Sequence, residues 1–298
     1  MADQAYKLRQ LANNLKADLR QRSLPGRGRC AKVIAITSGK GGVGKTNFAV
    51  NLGIGLIQQG RDVLLFDADL GLANVDVILG TNPSYHLGHV VKGEKKIQDI
   101  IYRGPSGIRL VAGGSGLAEL LDLGEADLRN FVASIKDLES MADYILLDTG
   151  AGLSRQVVSF VLSADEIIVV TNSEPTAMTD AYATIKVITR KNPAASIKLV
   201  LNQVEDTEEA EIAVNRLTMA ALRFLGIHVE SLGTVPADSS VPRAVKKQQP
   251  FLLAYPNAPA SRAVRSLSKT VDGQNQGSEL NVGLFFDRLA KFFTNLRA

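Results

Sequence analysis

Apolar residues in this chain follow two alternating patterns. Short unbroken runs occur at Lys32–Thr37, Val63–Asp69, Tyr144–Gly152 and Lys198–Asn202. Longer mixed segments separate them, such as Thr46–Gln59 with Phe48, Val50, Leu52, Ile54, Leu56 and Ile57. A short run with no polar face fits a strand covered on both sides, and a longer mixed segment fits a helix that covers it. The alternation persists from Lys32 to about Thr270 without an internal repeat. It predicts an α/β fold, a single doubly wound, mostly parallel sheet with helices on both faces. Leu87–Tyr102 reads as one more helix on the domain surface.

Two segments lie outside this rhythm. Leu8, Leu11, Leu15 and Leu19 are helically spaced, so Asp3–Gln21 predicts an amphipathic helix once it meets a partner. Pro25-Gly26-Arg27-Gly28 then breaks it from the domain. At the other end, the polar stretch Val271–Ser278 precedes a second stripe, Val282, Phe285, Phe286, Leu289, Phe292, Phe293 and Leu296. The expected organisation is a helix at 1–24, a linker at 25–31, a domain at 32–270, a linker at 271–279 and a helix at 280–298.

The chemistry is concentrated where the first strand meets its helix. Gly39-Lys40-Gly41-Gly42-Val43-Gly44-Lys45-Thr46 completes a G-x-x-x-x-G-K-[ST] phosphate loop. Its glycines let backbone N–H groups close around phosphates, the helix N-terminus adds positive potential, and Lys45 reaches the outer phosphates. Thr46 offers a hydroxyl to magnesium, so ATP or ADP with Mg2+ is the expected ligand. Lys40 is a second cation that such a loop does not need. It either points to solvent or serves phosphates that its own loop cannot reach. Val63–Asp69 ends in Asp67 and Asp69, and Tyr144–Gly152 ends in Asp148, Gly150 and Gly152, all at the carboxyl edge where open α/β sheets bind ligands.

The string Lys-Gly-Gly-Val-Gly-Lys-Thr resembles the deviant phosphate loop of the MinD/ParA ATPases. The resemblance implies that Lys40 crosses a homodimer interface to the partner's nucleotide when ATP is bound. Leu70-Gly71-Leu72-Ala73-Asn74 looks like that family's first switch, and the Asp148 segment like its Walker B and second switch. Asp69 would then orient the attacking water. Thr46 would hold magnesium directly and Asp148 would hold it through water, with Asp67 a weaker outer partner. Asn202 matches the adenine-contacting asparagine, Asn47 belongs to the nucleotide set, and Gly233–Asp238, including Pro236, Ala237 and Asp238, resembles the loop over the base. Asn202 is equally a residue that forms turns after strands.

The N-terminal extension narrows the resemblance. Asp3-Gln4-Ala5-Tyr6-Lys7-Leu8-Arg9 is similar to the D-Q-A-x-x-L-R element of the branch that controls flagellar number and placement (FlhG, FleN, YlxH). In that branch the element stimulates the GTPase FlhF, which casts Asp3, Gln4, Ala5, Leu8 and Arg9 as partner-binding residues. Flagellar switch-complex (C-ring) proteins are the other implied partners. A helix that packs back on its own domain is the plainer alternative.

Composition supports a single globular domain, with 45% apolar and 21% charged residues in 298. Cys30 is the only cysteine. That excludes a disulfide within the chain and weighs against the iron–sulfur carrier ATPases and the nitrogenase iron protein, which share the loop but need cysteine ligands. The net charge of +4 is unevenly placed, since the first 32 residues carry eight cations against Asp3 and Asp18. Such an arm suits nucleic acid, an acidic protein or lipid. No secretory signal and no run of roughly 20 apolar residues is visible, so the expectation is a cytoplasmic protein that meets the membrane peripherally. The phenylalanine stripe, with cations beside it, fits an anchor on an anionic membrane surface or a final helix docked on the domain. The combined expectation is a slow, switch-type ATPase. A division-site regulator of the MinD type and a ParA-type DNA-segregation ATPase remain alternatives. DNA is the less expected partner because of the stripe.

Overall fold

The computed structural model describes residues 31–69, 74–114, 131–274, 285, 286, 288 and 289. The partner-binding residues at 3–9, residues 70–73 of the expected first switch, and Val282, Phe292, Phe293 and Leu296 lie outside them.

Each short apolar run forms a strand. β1 (Lys32–Ser38) leads through the loop to α1 (Lys45–Gln58) and β2 (Val63–Ala68). Then come α2 (Val75–Leu79), α3 (Leu87–Val91), β3 (Ile101–Arg103), β4 (Arg109–Val111), α4 (Leu138–Met141), β5 (Tyr144–Ala151) and α5 (Arg155–Ser163). β6 (Glu166–Thr171), α6 (Pro175–Lys191), β7 (Ile197–Val204), α7 (Thr207–Leu225), β8 (Glu230–Pro236), α8 (Ser240–Lys246), α9 (Phe251–Ala254) and α10 (Pro259–Gln274) complete the series. The eight strands form one sheet in the order β3-β4-β2-β5-β1-β6-β7-β8. Only the β3–β4 pair is antiparallel.

Every residue of β1, β2 and β6 is buried, which is why these runs carry no polar face. Their side chains alternate between two cores. Val33 and Ala35 face one with Phe160, Ile185 and Ile188; Ile34 and Ile36 face the other with Phe48, Leu52 and Val264. Among the described residues, no helix is long and apolar enough to cross a membrane.

Leu87–Tyr102 is not one helix. His86 Nδ1 accepts the Gly88 N–H at 3.1 Å and starts α3. Gly93 then takes φ +73°, and the N–H groups of Glu94 and Lys95 bond back to the His89 carbonyl, closing the helix after its five residues. The remaining apolar positions form a 3₁₀ turn, Ile97–Ile100, and the edge strand β3. A glycine that terminates a helix left-handed overrides the apolar spacing beyond it.

α10 also continues through Gln274, past the expected domain end at residue 270. Val271 is fully buried, and the Asp272 carboxylate receives Arg61 at 2.7 and 3.0 Å and the Tyr144 hydroxyl at 3.0 Å. These contacts pin the last turn of α10 to the amino edge of the sheet. Asp272→Ala removes the carboxylate that the Tyr144 hydroxyl and the Arg61 guanidinium share. It should lower the unfolding free energy by about 2–4 kcal/mol in urea titrations.

Candidate active site

The loop between β1 and α1 sits at the carboxyl edge of the sheet, where it must approach other backbone closely. Gly42 and Gly44 have φ of +83° and +86°. A Cβ on Gly44 would lie 2.3 Å from Asn202 Nδ2, and one on Gly39 would lie 2.3 Å from the Asp180 backbone. Neither position accepts a side chain. The loop is braced from β7, whose Asn202 Nδ2 donates to the Val43 carbonyl at 2.8 Å. Gln203 Nε2 donates to the Gly42 carbonyl at 3.3 Å. Gln203 itself holds φ +58°, a conformation uncommon outside glycine that persists where its surroundings enforce it.

In front of the loop opens a cavity of about 1000 Å³. Gly41 to Asn47 form its floor, Asp69 and Asn74 one flank, and Asn202, Pro236, Ala237 and Asp238 the far wall. The Asp238 carboxylate accepts the N–H groups of Ser240 at 2.8 Å and Ala260 at 3.1 Å, which fixes this wall to the starts of α8 and α10.

Beneath the floor lies a cluster of charge. Asp67 and Asp148 are register partners on β2 and β5, and both are buried. Lys45 Nζ, also buried, pairs with Asp148 Oδ1 at 2.8 Å. Burial first, and then the charge of Asp148, push the Asp67 carboxyl up to about 7. Burial also raises Asp148, against the pull of Lys45. Asp67 Oδ1 accepts the Asp69 N–H at 3.1 Å, which turns the next carboxylate toward the cavity. Gly150 completes the fit, since a Cβ there would sit 3.3 Å from Asp69 Oδ1.

The structure thus brings Gly41 to Asn47, Asp69, Asn74, Asn202 and Pro236–Asp238 around one cavity, with Asp67 and Asp148 under it. Gly39 lies against α6, and Lys40 Nζ bonds Glu174 Oε2 at 2.7 Å. Gly152 is at φ +87°, its N–H bonded to the Ser38 carbonyl, so it sets the turn leaving β5. Among the residues that escaped the sequence reading, Asn172, Glu174 and Gln203 also line the cavity. The apolar run Glu166–Thr171 signals a strand as clearly as its neighbours, and its carboxyl end delivers Asn172 and Glu174 to the same edge.

A model of the AAA domain family matches residues 31–199. The antiactivator FleN of Pseudomonas aeruginosa is 39% identical over 81% of this chain and 86% of its own length. The flagellum site-determining protein YlxH of Helicobacter pylori is 34% identical over 88% and 90%. The chain belongs to the MinD/ParA-type ATPases, in the FleN and YlxH branch. The solved septum site-determining protein MinD from Pyrococcus horikoshii, in complex with Mg-ADP, superposes with a TM-score of 0.68 at 27% identity over 83% and 98% of the two chains. Members of this family are ATPases, and the cavity in front of the phosphate loop is the candidate nucleotide site.

The raised Asp67 carboxyl has a stability consequence. A carboxyl that titrates higher folded than unfolded favours folding only while protonated, so its contribution is lost as pH rises from about 4 through about 7. The full shift is worth on the order of 4 kcal/mol. Asp67→Asn keeps an acceptor for the Asp69 N–H without the charge. In the nucleotide-free protein it should raise the melting temperature at about pH 8 and leave it nearly unchanged at about pH 4, as read by calorimetry.

Proposed function

We propose that this ATPase is a nucleotide-operated switch that sets flagellar number or placement, cycling slowly between partners and locations rather than making product. The single observation that carries this reading is the two-lysine phosphate loop built into an ATPase site, in a chain 39% identical to FleN. Lys45 and the loop N–H groups bind the phosphates, and Asn202 with Pro236–Asp238 hold the base. Asp69 orients the attacking water, positioning and charge compensation being most of what phosphoryl transfer needs from a protein. Two buried carboxylates against one buried lysine leave a negative surplus under the loop, which suits a divalent cation. Thr46 would hold magnesium directly and Asp148 through water, with Asp67 behind. Bound there, the cation would neutralise charge on the phosphate oxygens.

In the ATP state two copies pair, with Lys40 serving the partner's nucleotide. Residues 1–24 engage FlhF, and flagellar C-ring proteins are the other partners. The C-terminal stripe binds an anionic membrane when the dimer presents two of them. Among the described residues, three members of the stripe, Phe285, Phe286 and Leu289, are buried in the same apolar core as Ile135 and Leu138. The Phe286 N–H donates to Glu139 Oε1 at 3.3 Å, and Arg288 pairs with Asp165 at 2.5 Å. In this reading, docking on the domain and anchoring at the membrane are successive states of one segment.

Co-sedimentation with anionic vesicles, in ADP and in a non-hydrolysable ATP analogue, tests the membrane half of the proposal. The full chain should pellet with the analogue only, and a chain ending at Ser278 in neither condition. Pelleting that ignores nucleotide or survives truncation contradicts it. A peptide of residues 1–22 should raise FlhF GTP hydrolysis severalfold; no effect would favour the division-site reading.

A further inference from the structure

Lys40 adjoins the cavity-lining Gly41, and it is not loose. Its Nζ donates to Glu174 Oε2 at 2.7 Å and to Thr176 Oγ1 at 3.0 Å, both on its own chain. Its backbone is fixed as well, because Ser38 Oγ donates to the Lys40 carbonyl at 3.0 Å. Glu174 is equally placed: it precedes Pro175 at the start of α6, and its N–H donates to Asn172 Oδ1 at 3.3 Å. A residue before proline is confined to extended backbone, so the carboxylate is presented from a stiff support. Asn172 in turn donates to Gln203 Oε1, and Gln203 to the Gly42 carbonyl, closing a chain of contacts back onto the loop. With Gly39 pressed against Asp180, the loop and the first turns of α6 are one body.

We propose that Glu174, assisted by Thr176, is a positioning residue for Lys40, holding the loop's second lysine on its own subunit until a nucleotide-bound second copy draws it across. The inference rests on the reading above that Lys40 serves the partner's nucleotide. Glu174 lines the cavity, and its pairing with Lys40 sets it beside the phosphate loop. A carboxylate there is tolerable while Lys40 neutralises it, and the same pairing keeps that carboxyl below its ordinary titration range. When Lys40 leaves, an unpaired carboxylate stays near the phosphates. Glu174 thereby raises the nucleotide concentration at which two copies associate, and it tunes that threshold without touching the reacting atoms. Both side chains are substantially exposed, so the restraint is weak and screened by salt. A weak restraint suits a switch that must open at ordinary nucleotide levels.

The test is sedimentation velocity on the full-length protein, titrating a non-hydrolysable ATP analogue with magnesium. Wild type is compared with Glu174→Gln, Lys40→Ala and the double variant. Glu174→Gln should associate at about two- to fivefold lower analogue concentration, the effect expected from losing one exposed ion pair. Raising salt from about 50 to about 500 mM should shrink the difference between wild type and Glu174→Gln. The double variant should behave as Lys40→Ala does. A merely structural Glu174 would show neither the salt convergence nor the dependence on Lys40. If Lys40→Ala blocks association while Glu174→Gln matches wild type or needs more analogue, this inference falls and the crossing role stands. If Lys40→Ala associates as readily as wild type, the crossing role falls and takes this inference with it.

Discussion

Everything at the site is arranged around a charge imbalance buried under the phosphate loop. Asp67 and Asp148 are carried side by side by β2 and β5, and Lys45 reaches down to Asp148 from the first turn of α1. Burial makes the surplus negative charge costly, which is the direction the raised Asp67 and Asp148 carboxyls record. The cost is localised because the sheet fixes it: in-register pairing of β2 with β5 leaves neither carboxylate room to move apart. Asp69 inherits its aim from this cluster through its N–H to Asp67, and Gly150 gives it space. A site poised in this way responds strongly to a phosphate and a cation arriving above it.

Two kinds of coupling extend from that centre. On one side of the cavity, Asn202 and Gln203 tie β7 to the loop carbonyls, and Asp238 ties the far wall to α10. α10 then spans the domain to the Arg61–Asp272–Tyr144 contacts at the amino edge. Beside the loop, the Glu174–Lys40 pair links it to α6. The closed, self-satisfied arrangement of Lys40 and of Phe285, Phe286 and Leu289 has the form of a switch at rest.

The sheet was legible because its strands are buried on both faces, which leaves an apolar signature that survives without alignment. The loop was legible because phosphate binding forces glycine at fixed spacing. What the pattern could not carry was local backbone geometry. Gly93 ends α3 early, a left-handed turn that apolar spacing does not encode. Val271 and Asp272 read as linker because the stretch to Ser278 is polar and contains glycine, yet Arg61 and Tyr144, far off in sequence, give Asp272 its partners. Glu174 and Gln203 are polar residues after strands, ordinary in sequence, and only the sheet order places them at the cavity. Three members of the phenylalanine stripe, Phe285, Phe286 and Leu289, are buried in the core, so the domain itself offers them a matching surface.

The central claim is that this carboxyl edge hydrolyses ATP with Asp69 directing water, separately from binding it. The decisive measurement pairs Mg-ATP affinity with steady-state phosphate release for Asp69→Ala. The account predicts affinity within about threefold of wild type and turnover lower by on the order of 100-fold or more. Unchanged turnover by a variant that still binds ATP would contradict it.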